Sequence, residues 1–213
     1  MQMMRMLLKC FTKIHYQKFE IVNLNNNFVS IILPVYNEEK LIKNSIKSIL
    51  NQSHKDFELL VIDDGSTDNT KQIVTSIKDK RIIYIKKNHT GLPETLNCGI
   101  KLSKSDLIFR MDADDLSAIN RLEIQLNFMN ENPEVVLCGT FMNIINYNKK
   151  KITKKKLPIT NCEIKNTILY NSNIMHPTFC FRKSQVVEVG SYRKEFVYAQ
   201  DYDLLLRLLN KDY

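Results

Sequence analysis

Residues 111–115 read MDADD and follow the apolar stretch DLIFR. Three carboxylates, Asp112, Asp114 and Asp115, therefore fall within four residues. Like charges this close repel, and each raises the others' pKa unless something offsets them. A solvated acidic turn is the commoner fate of such a cluster. The sharper reading is a divalent cation, because hard cations take oxygen ligands and Mg²⁺ is commonly held by one or two carboxylates plus substrate phosphates. A calcium loop starting at Asp112 puts Glu123 at its twelfth position but Leu116 and Ser117 where a ligand and a glycine are required, so that loop is excluded. An aspartyl-phosphate enzyme also places an Asp at a strand end. It leaves unexplained the second acidic stretch, VIDDGSTD at 61–68.

The elements that must position these acids follow from hydrophobic periodicity. FVSIILPVY at 28–36, FELLVI at 57–62, RIIYI at 81–85 and DLIFRM at 106–111 are continuous apolar runs of strand length. Between them, Leu41, Ile42, Ile46, Ile49 and Leu50 share one helical face, a second helix runs through Ile73, Val74 and Ile77, and LNCGIKL is a third, with Gly91 and Pro93 marking a turn before it. Continuous strands alternating with amphipathic helices predict a parallel sheet covered on both faces. Beyond it the spacing predicts a helix over 121–133 stopped by Pro133, extended chain through VVLCGTFMNII, a short helix in CEIKNTILY, a strand in TFCFR and a final helix, DYDLLLRLLNK. In open parallel sheets ligands bind outside the carboxyl ends of the strands. PVYNEE, DDGSTD and DADD all fall there, so one ligand meeting all three is the geometric expectation. No GxGxxG and no GxxxxGK[ST] occurs, and the chain has only five glycines, so a diphosphate bound here needs a cation rather than a glycine-rich cradle.

With 213 residues, 44% hydrophobic and 25% charged, the chain is long enough to bury a sizeable core. Its net charge of +8 and pI near 9.1 fit phosphorylated small molecules or anionic lipid headgroups; no nucleic-acid-binding module is present, and nucleic acid is not an expected partner. The five cysteines, Cys10, Cys98, Cys138, Cys162 and Cys180, are widely spaced with no CxxC, which points to reduced thiols and a cytoplasmic setting. No apolar run reaches the roughly 18 residues a membrane span requires. Residues 1–27 read as a basic, disordered leader and 28–213 as one domain. The lysine run KKKITKKK at 149–156 is expected to be a solvated hairpin or loop, with peripheral contact to an anionic membrane as its functional alternative.

LPVYNEE, LLVIDDGSTDNT, TGLPETLNCGI, LIFRMDADD with RLEIQL, HPTFCFRKSQVVEVGSYR and AQDYDLLLRL together resemble the family 2 glycosyltransferases, in the family's order and spacing, from about Phe28 onward. The resemblance implies a GT-A fold: a mostly parallel Rossmann-like sheet flanked by helices, with a smaller mixed region on the acceptor side. It implies an inverting transferase of polysaccharide or glycoconjugate biosynthesis that uses a nucleotide-diphospho-sugar donor and Mn²⁺ or Mg²⁺, with a carbohydrate, lipid-linked or protein-linked acceptor. By the same resemblance Pro34 and Tyr36 line the nucleoside pocket, with Tyr36 against the base, and Asp64 accepts a hydrogen bond from the base. Asp114 is the metal ligand, Asp112 holds the ribose or a metal-bound water, and Asp115 is as well placed to cap the next segment. His176 lies near the diphosphate as a further ligand candidate, and Asp201 is the general base. Gln200 stands where many members have Glu, and Asp203 reads as charge complementing the final helix dipole. Arg121 and Arg193 are phosphate-contact candidates, although solvated surface arginines are commoner. The processive QxxRW signature is absent, which implies single-sugar transfer. Most members continue further past the base helix, so the resemblance also implies a domain short at its C-terminus, with an inactive nucleotide-sugar-binding domain as the alternative.

Overall fold

The structure is a computed structural model that describes residues 27–146, 151–155, 157–168, 170 and 174–211. The expected leader, apart from Asn27, and Lys149, Lys150 and Lys156 of the lysine run lie outside them. In chain order the elements are β1 (Val29–Val35), α1 (Ile42–Leu50), β2 (Phe57–Asp63), α2 (Thr70–Ser76), β3 (Ile82–Lys86), α3 (Leu92–Leu102), β4 (Leu107–Arg110), α4 (Arg121–Glu131), β5 (Leu137–Cys138), β6 (Met142–Ile145), β7 (Lys151–Lys155), α5 (Asn161–Thr167), β8 (Cys180–Arg182), α6 (Lys183–Glu188) and α7 (Gln200–Asn210), with a 3₁₀ turn at His176–Thr178. Six strands form one sheet in the order β3-β2-β1-β4-β8-β5. The first four are parallel, while β8 pairs antiparallel with both β4 and β5. The sheet is thus mostly parallel and carries a mixed edge. The lysine-run hairpin is partly described, as β6 paired antiparallel with β7.

Strict alternation splits each central strand between two cores. Val29, Ile31, Leu33 and Val35 of β1, with Phe57, Leu59 and Val61 of β2 and Phe109 of β4, pack on α1, α2 and α4. Ile32, Leu60, Ile62 and Ile108 point the other way, with Leu96 and Ile100 of α3 and Leu204, Leu205 and Leu208 of α7. Both faces are covered, which is why these strands read as unbroken apolar runs.

The structure differs from the sequence expectation around α3. Pro93 lies in the first helical turn rather than in a turn ahead of it. There its missing N–H costs nothing, since the first N–H groups of a helix have no intrahelical acceptor. Gly99 also has a specific cause: a Cβ at this position would come within 2.6 Å of Ile32 Cγ2. The glycine lets α3 lie against β1. Short α6 was not expected from the sequence.

A valine at position 99 restores little helix propensity and meets the fully buried Ile32. Gly99→Val is therefore expected to lose about 1–3 kcal/mol of stability, read as a lower urea midpoint at unchanged slope. An unaltered midpoint would show that Ile32 yields at no cost.

Candidate functional site

Parallel pairing brings the ends of β1 to β4 to one edge of the sheet, and the loops there are stitched together. After β1, Asn37 takes a left-handed conformation (φ 55°). Its N–H donates to Ser66 Oγ at 2.9 Å and its side-chain oxygen accepts from the Thr67 N–H at 2.8 Å. The Glu38 N–H donates to Thr70 Oγ1 at 2.9 Å, and Glu39 accepts from the Asn69 N–H at 3.0 Å. Much of NEE and DGSTDNT therefore builds the rim of the crevice. Asp63 is fully buried and also structural: it accepts from the Ser66 N–H at 2.7 Å and from the Tyr84 hydroxyl.

The acidic loop is pinned from α1. Ser45 Oγ donates to the Ala113 carbonyl at 2.5 Å, and Ser48 Oγ accepts from the Ser117 N–H at 2.9 Å. Ligand oxygens of Asp112, Asp114 and Asp115 lie within 4.8 Å of one another. Beneath them Arg110, 2% exposed, forks both terminal nitrogens onto Asp112. Burial raises the Asp112 carboxyl, Arg110 opposes that rise, and the charge of Asp114 adds to it. Burial also pushes Asp115 up to about 6, with Asp112 and Asp114 contributing. Glu38 is raised by burial and then by Asp114, so a fourth acid faces the same space. In the sequence Glu38 stands out only as part of LPVYNEE. An all-oxygen, half-exposed and mutually repelling group of this kind fits a hard divalent cation. Asp114, exposed and with no Arg110 on its oxygens, is the freest of the three to bind it.

Asp201 sits in the first turn of α7, and its charge is felt at both Asp112 and Tyr192, so the structure brings it to the crevice. Asp203, two residues on, points elsewhere. It is 6% exposed and ion-paired to Arg193 and Arg207, with Arg207 Nη2 at 2.8 Å. That carboxylate is a clamp on α7 rather than a free base, and Arg193 is spent on it. Arg121 lends Nη2 to the Arg110 carbonyl at 2.7 Å and Nε to Gln125 at 2.9 Å, bracing the loop from α4. His176 is buried, its Nε2 is 2.9 Å from the Tyr192 hydroxyl, and it lies outside the carboxylate group. Burial, then the charge of Arg110, holds its ring well below the usual histidine range, so it is neutral. Tyr36, just after β1, is exposed, Pro34 is buried in β1, and Asp64 is buried just after β2. A separate cavity of about 620 Å³, lined by Ile124, Val136, Ile164 and Leu208 among others, runs along β5 and includes none of these acids.

Residues 30–190 match the family described as glycosyl transferase family 2. The chain belongs to that family. It is 31% identical over 194 residues to an uncharacterized glycosyltransferase of Rickettsia prowazekii, covering 85% of this chain and 58% of the relative. It is 33% identical over 190 residues to the O-antigen biosynthesis glycosyltransferase WbnJ of Escherichia coli, covering 87% of this chain and 73% of WbnJ. The chain thus spans less than two thirds of the Rickettsia relative. Among solved structures, the mannosyltransferase PcManGT of Pyrobaculum calidifontis, in complex with GDP-Man and Mn²⁺, superposes with a TM-score of 0.66 at 20% identity over 87% of this chain and 52% of that one. Staphylococcus aureus TarS 1-349 in complex with UDP-GlcNAc gives 0.65 at 23% identity over 84% and 52%. Both likenesses show the GT-A fold. The family match ends before α7, so Asp201 rests on geometry and on the sequence resemblance alone.

The raised carboxyls make the metal-free glycosyltransferase fold depend on pH. A carboxyl whose folded pKa exceeds its unfolded value stabilises the fold below the unfolded value and loses that contribution as pH rises through the folded value. For Asp115 the window runs from about 4 to about 6. In chelator, Asp115→Asn is therefore expected to raise stability at pH 7.5 by on the order of 1 kcal/mol and to change it little at pH 4. Urea titrations at both pH values check this. A gain of equal size at both would mean that the buried and crowded charge of Asp115 is not the cause.

Proposed function

We propose that this domain transfers a single sugar from a nucleotide-diphospho-sugar to an acceptor hydroxyl with inversion at the anomeric carbon. The observation that supports this most is the grouping of the Asp112, Asp114 and Asp115 carboxylates just past the carboxyl end of β4, with the charge of Asp201 in the first turn of α7 felt at Asp112. Pro34, Tyr36 and Asp64 lie at the nucleoside end of the crevice, and the acidic loop at the diphosphate end. Asp114, with Asp112 or Asp115, would hold Mn²⁺ or Mg²⁺. The cation supplies Lewis-acid stabilisation of the charge that develops on the departing diphosphate. His176, neutral and tied to Tyr192, braces the floor beneath Arg110 in this reading. Asp201 accepts the proton of the acceptor hydroxyl as that oxygen attacks the anomeric carbon, a general-base role worth ~10²–10⁴ in rate. Asp203 cannot take over that role while two guanidinium groups hold it. A carbohydrate or lipid-linked acceptor, glycoconjugate synthesis as in WbnJ, and contact of the lysine-rich hairpin with an anionic membrane extend the same reading. No helix among the described residues is long and apolar enough to cross a membrane.

Two measurements test this. In calorimetry, UDP or GDP is expected to bind in Mn²⁺ and to lose most of its affinity in chelator, with Asp114→Ala reproducing the loss. Equal affinity with and without metal removes the cation from the site. Asp201→Asn keeps shape and removes the proton acceptor. With UDP-GlcNAc or GDP-mannose, it is expected to bind donor as the wild type does while turnover, followed by hydrolysis where no acceptor is known, falls ~10²-fold or more. Wild-type turnover in that variant places the base elsewhere. Binding without any turnover in the wild type favours a binding domain.

A further inference from the structure

Asp64 is heavily engaged with its own protein, which leaves little of its carboxylate for a ligand. A carboxylate offers about four acceptor positions. Here Oδ1 accepts from the Lys87 ammonium and from the Thr90 N–H at 3.0 Å, and Oδ2 accepts from the Gly91 N–H at 2.9 Å and faces His89 Nδ1 at 2.8 Å. Burial acts to raise this carboxyl, yet the bonds from Lys87, Thr90, Gly91 and Thr95 hold it below its usual range. The Asp64 backbone carbonyl is a second acceptor for His89 Nδ1, at 3.0 Å. Both groups facing that nitrogen are acceptors, so Nδ1 carries the hydrogen and the ring is held from one edge.

What Asp64 holds out is an aromatic face. The imidazole of His89 lies on the Tyr36 ring, with centroids 4.3 Å apart and planes inclined by 27°. The pair stands at the nucleoside end of the crevice and stays open, with the His89 side chain 57% exposed and Tyr36 45% exposed. Two glycines make this placement possible. Gly91 adopts φ +91° at the turn whose N–H reaches Asp64, and a Cβ on Gly65 would come within 2.9 Å of the His89 backbone nitrogen. Residues from β1, β2 and the loop after β3 thus converge to fix one small exposed ring. A planar face of this kind, backed by a second ring, is what a nucleobase stacks on.

We infer that His89 stacks on the nucleobase of the donor and that Asp64 acts through it as a positioning residue. The inference rests on the nucleotide-donor reading above and deepens it. The stack contributes affinity for the base and none for the diphosphate, so the two ends of the ligand separate the effects.

The test is calorimetry in Mn²⁺ with UDP, GDP and inorganic pyrophosphate on wild type, His89→Ala, His89→Phe, Asp64→Asn and the Asp64→Asn/His89→Ala double variant, each first shown to be folded by circular dichroism. His89→Ala is expected to weaken the tighter-binding nucleotide about tenfold while leaving pyrophosphate unchanged. His89→Phe is expected to restore most of the loss. Asp64→Asn is expected to weaken the nucleotide, and the double variant to bind no worse than His89→Ala. Unchanged or tighter nucleotide binding in His89→Ala overturns the inference, the second outcome showing that His89 covers Tyr36 against the base. Equal loss with pyrophosphate, or failure of phenylalanine to rescue, also overturns it. A double variant much weaker than either single returns Asp64 to direct contact. Wild-type protein that binds pyrophosphate but neither nucleotide brings down the donor reading itself.

Discussion

A guanidinium buried under a cluster of carboxylates governs this crevice. Arg110 is the last residue of β4 and is 2% exposed. Strand alternation turns its side chain toward the same face as Ile108, into the core shared with Phe179, Tyr192 and Leu204. A charge taken that far from water is tenable only if it is paired, and the pair is Asp112. The consequence runs both ways. Arg110 opposes the burial that raises the Asp112 carboxyl, and Arg110 is paired in the core because the chain returns an acid two residues later. Their surroundings follow from this pair: His176 is neutral partly because Arg110 is near, and Arg121 of α4 holds the Arg110 carbonyl in place.

The same pair divides labour among the three acids of the loop. Both oxygens of Asp112 already accept from Arg110, while Asp114 is exposed and Asp115 is raised by burial and then by its neighbours. Crowding the carboxylates costs stability in the metal-free chain, and the divalent cation proposed for this site would relieve that cost. The sheet tolerates the arrangement because the strain is confined to a loop. Both cores below it are closed, and Ser45 and Ser48 of α1 fix the loop backbone without adding charge.

The parts legible in the sequence were those whose cause is local. Four unbroken apolar runs became β1 to β4 because each is covered on both faces, and the final helix was visible in its leucine spacing. The acidic loop was legible because its three acids are adjacent in the chain. What escaped notice depends on residues far apart. Arg110 looked like the end of a strand until the fold enclosed it. Nothing local in LNCGIKL marks Gly99 as required; the reason is Ile32 of β1 beside it. Glu38 belongs to the acidic group only because β1 and β4 are neighbours. The Tyr36–His89 stack joins residues on different loops, and α6, six residues long, is too short for periodicity to register.

Asp201 and Asp203 show how a helix separates two identical side chains. Two residues along an α-helix is a rotation of roughly 200°, so the two carboxylates leave α7 on nearly opposite sides. Leu204, Leu205 and Leu208 bind one face of that helix to the sheet and fix its rotation. With the rotation fixed, Asp203 falls between Arg193 and Arg207, which neutralise it and tie α7 to the chain before it. Asp201 is left on the side of Asp112 and Tyr192, and among the described residues no arginine is ion-paired to it. The apolar face of α7 therefore decides which acid is structural and which meets the crevice. A change in leucine packing there would act on the proposed chemistry by rotating α7, without touching either carboxylate.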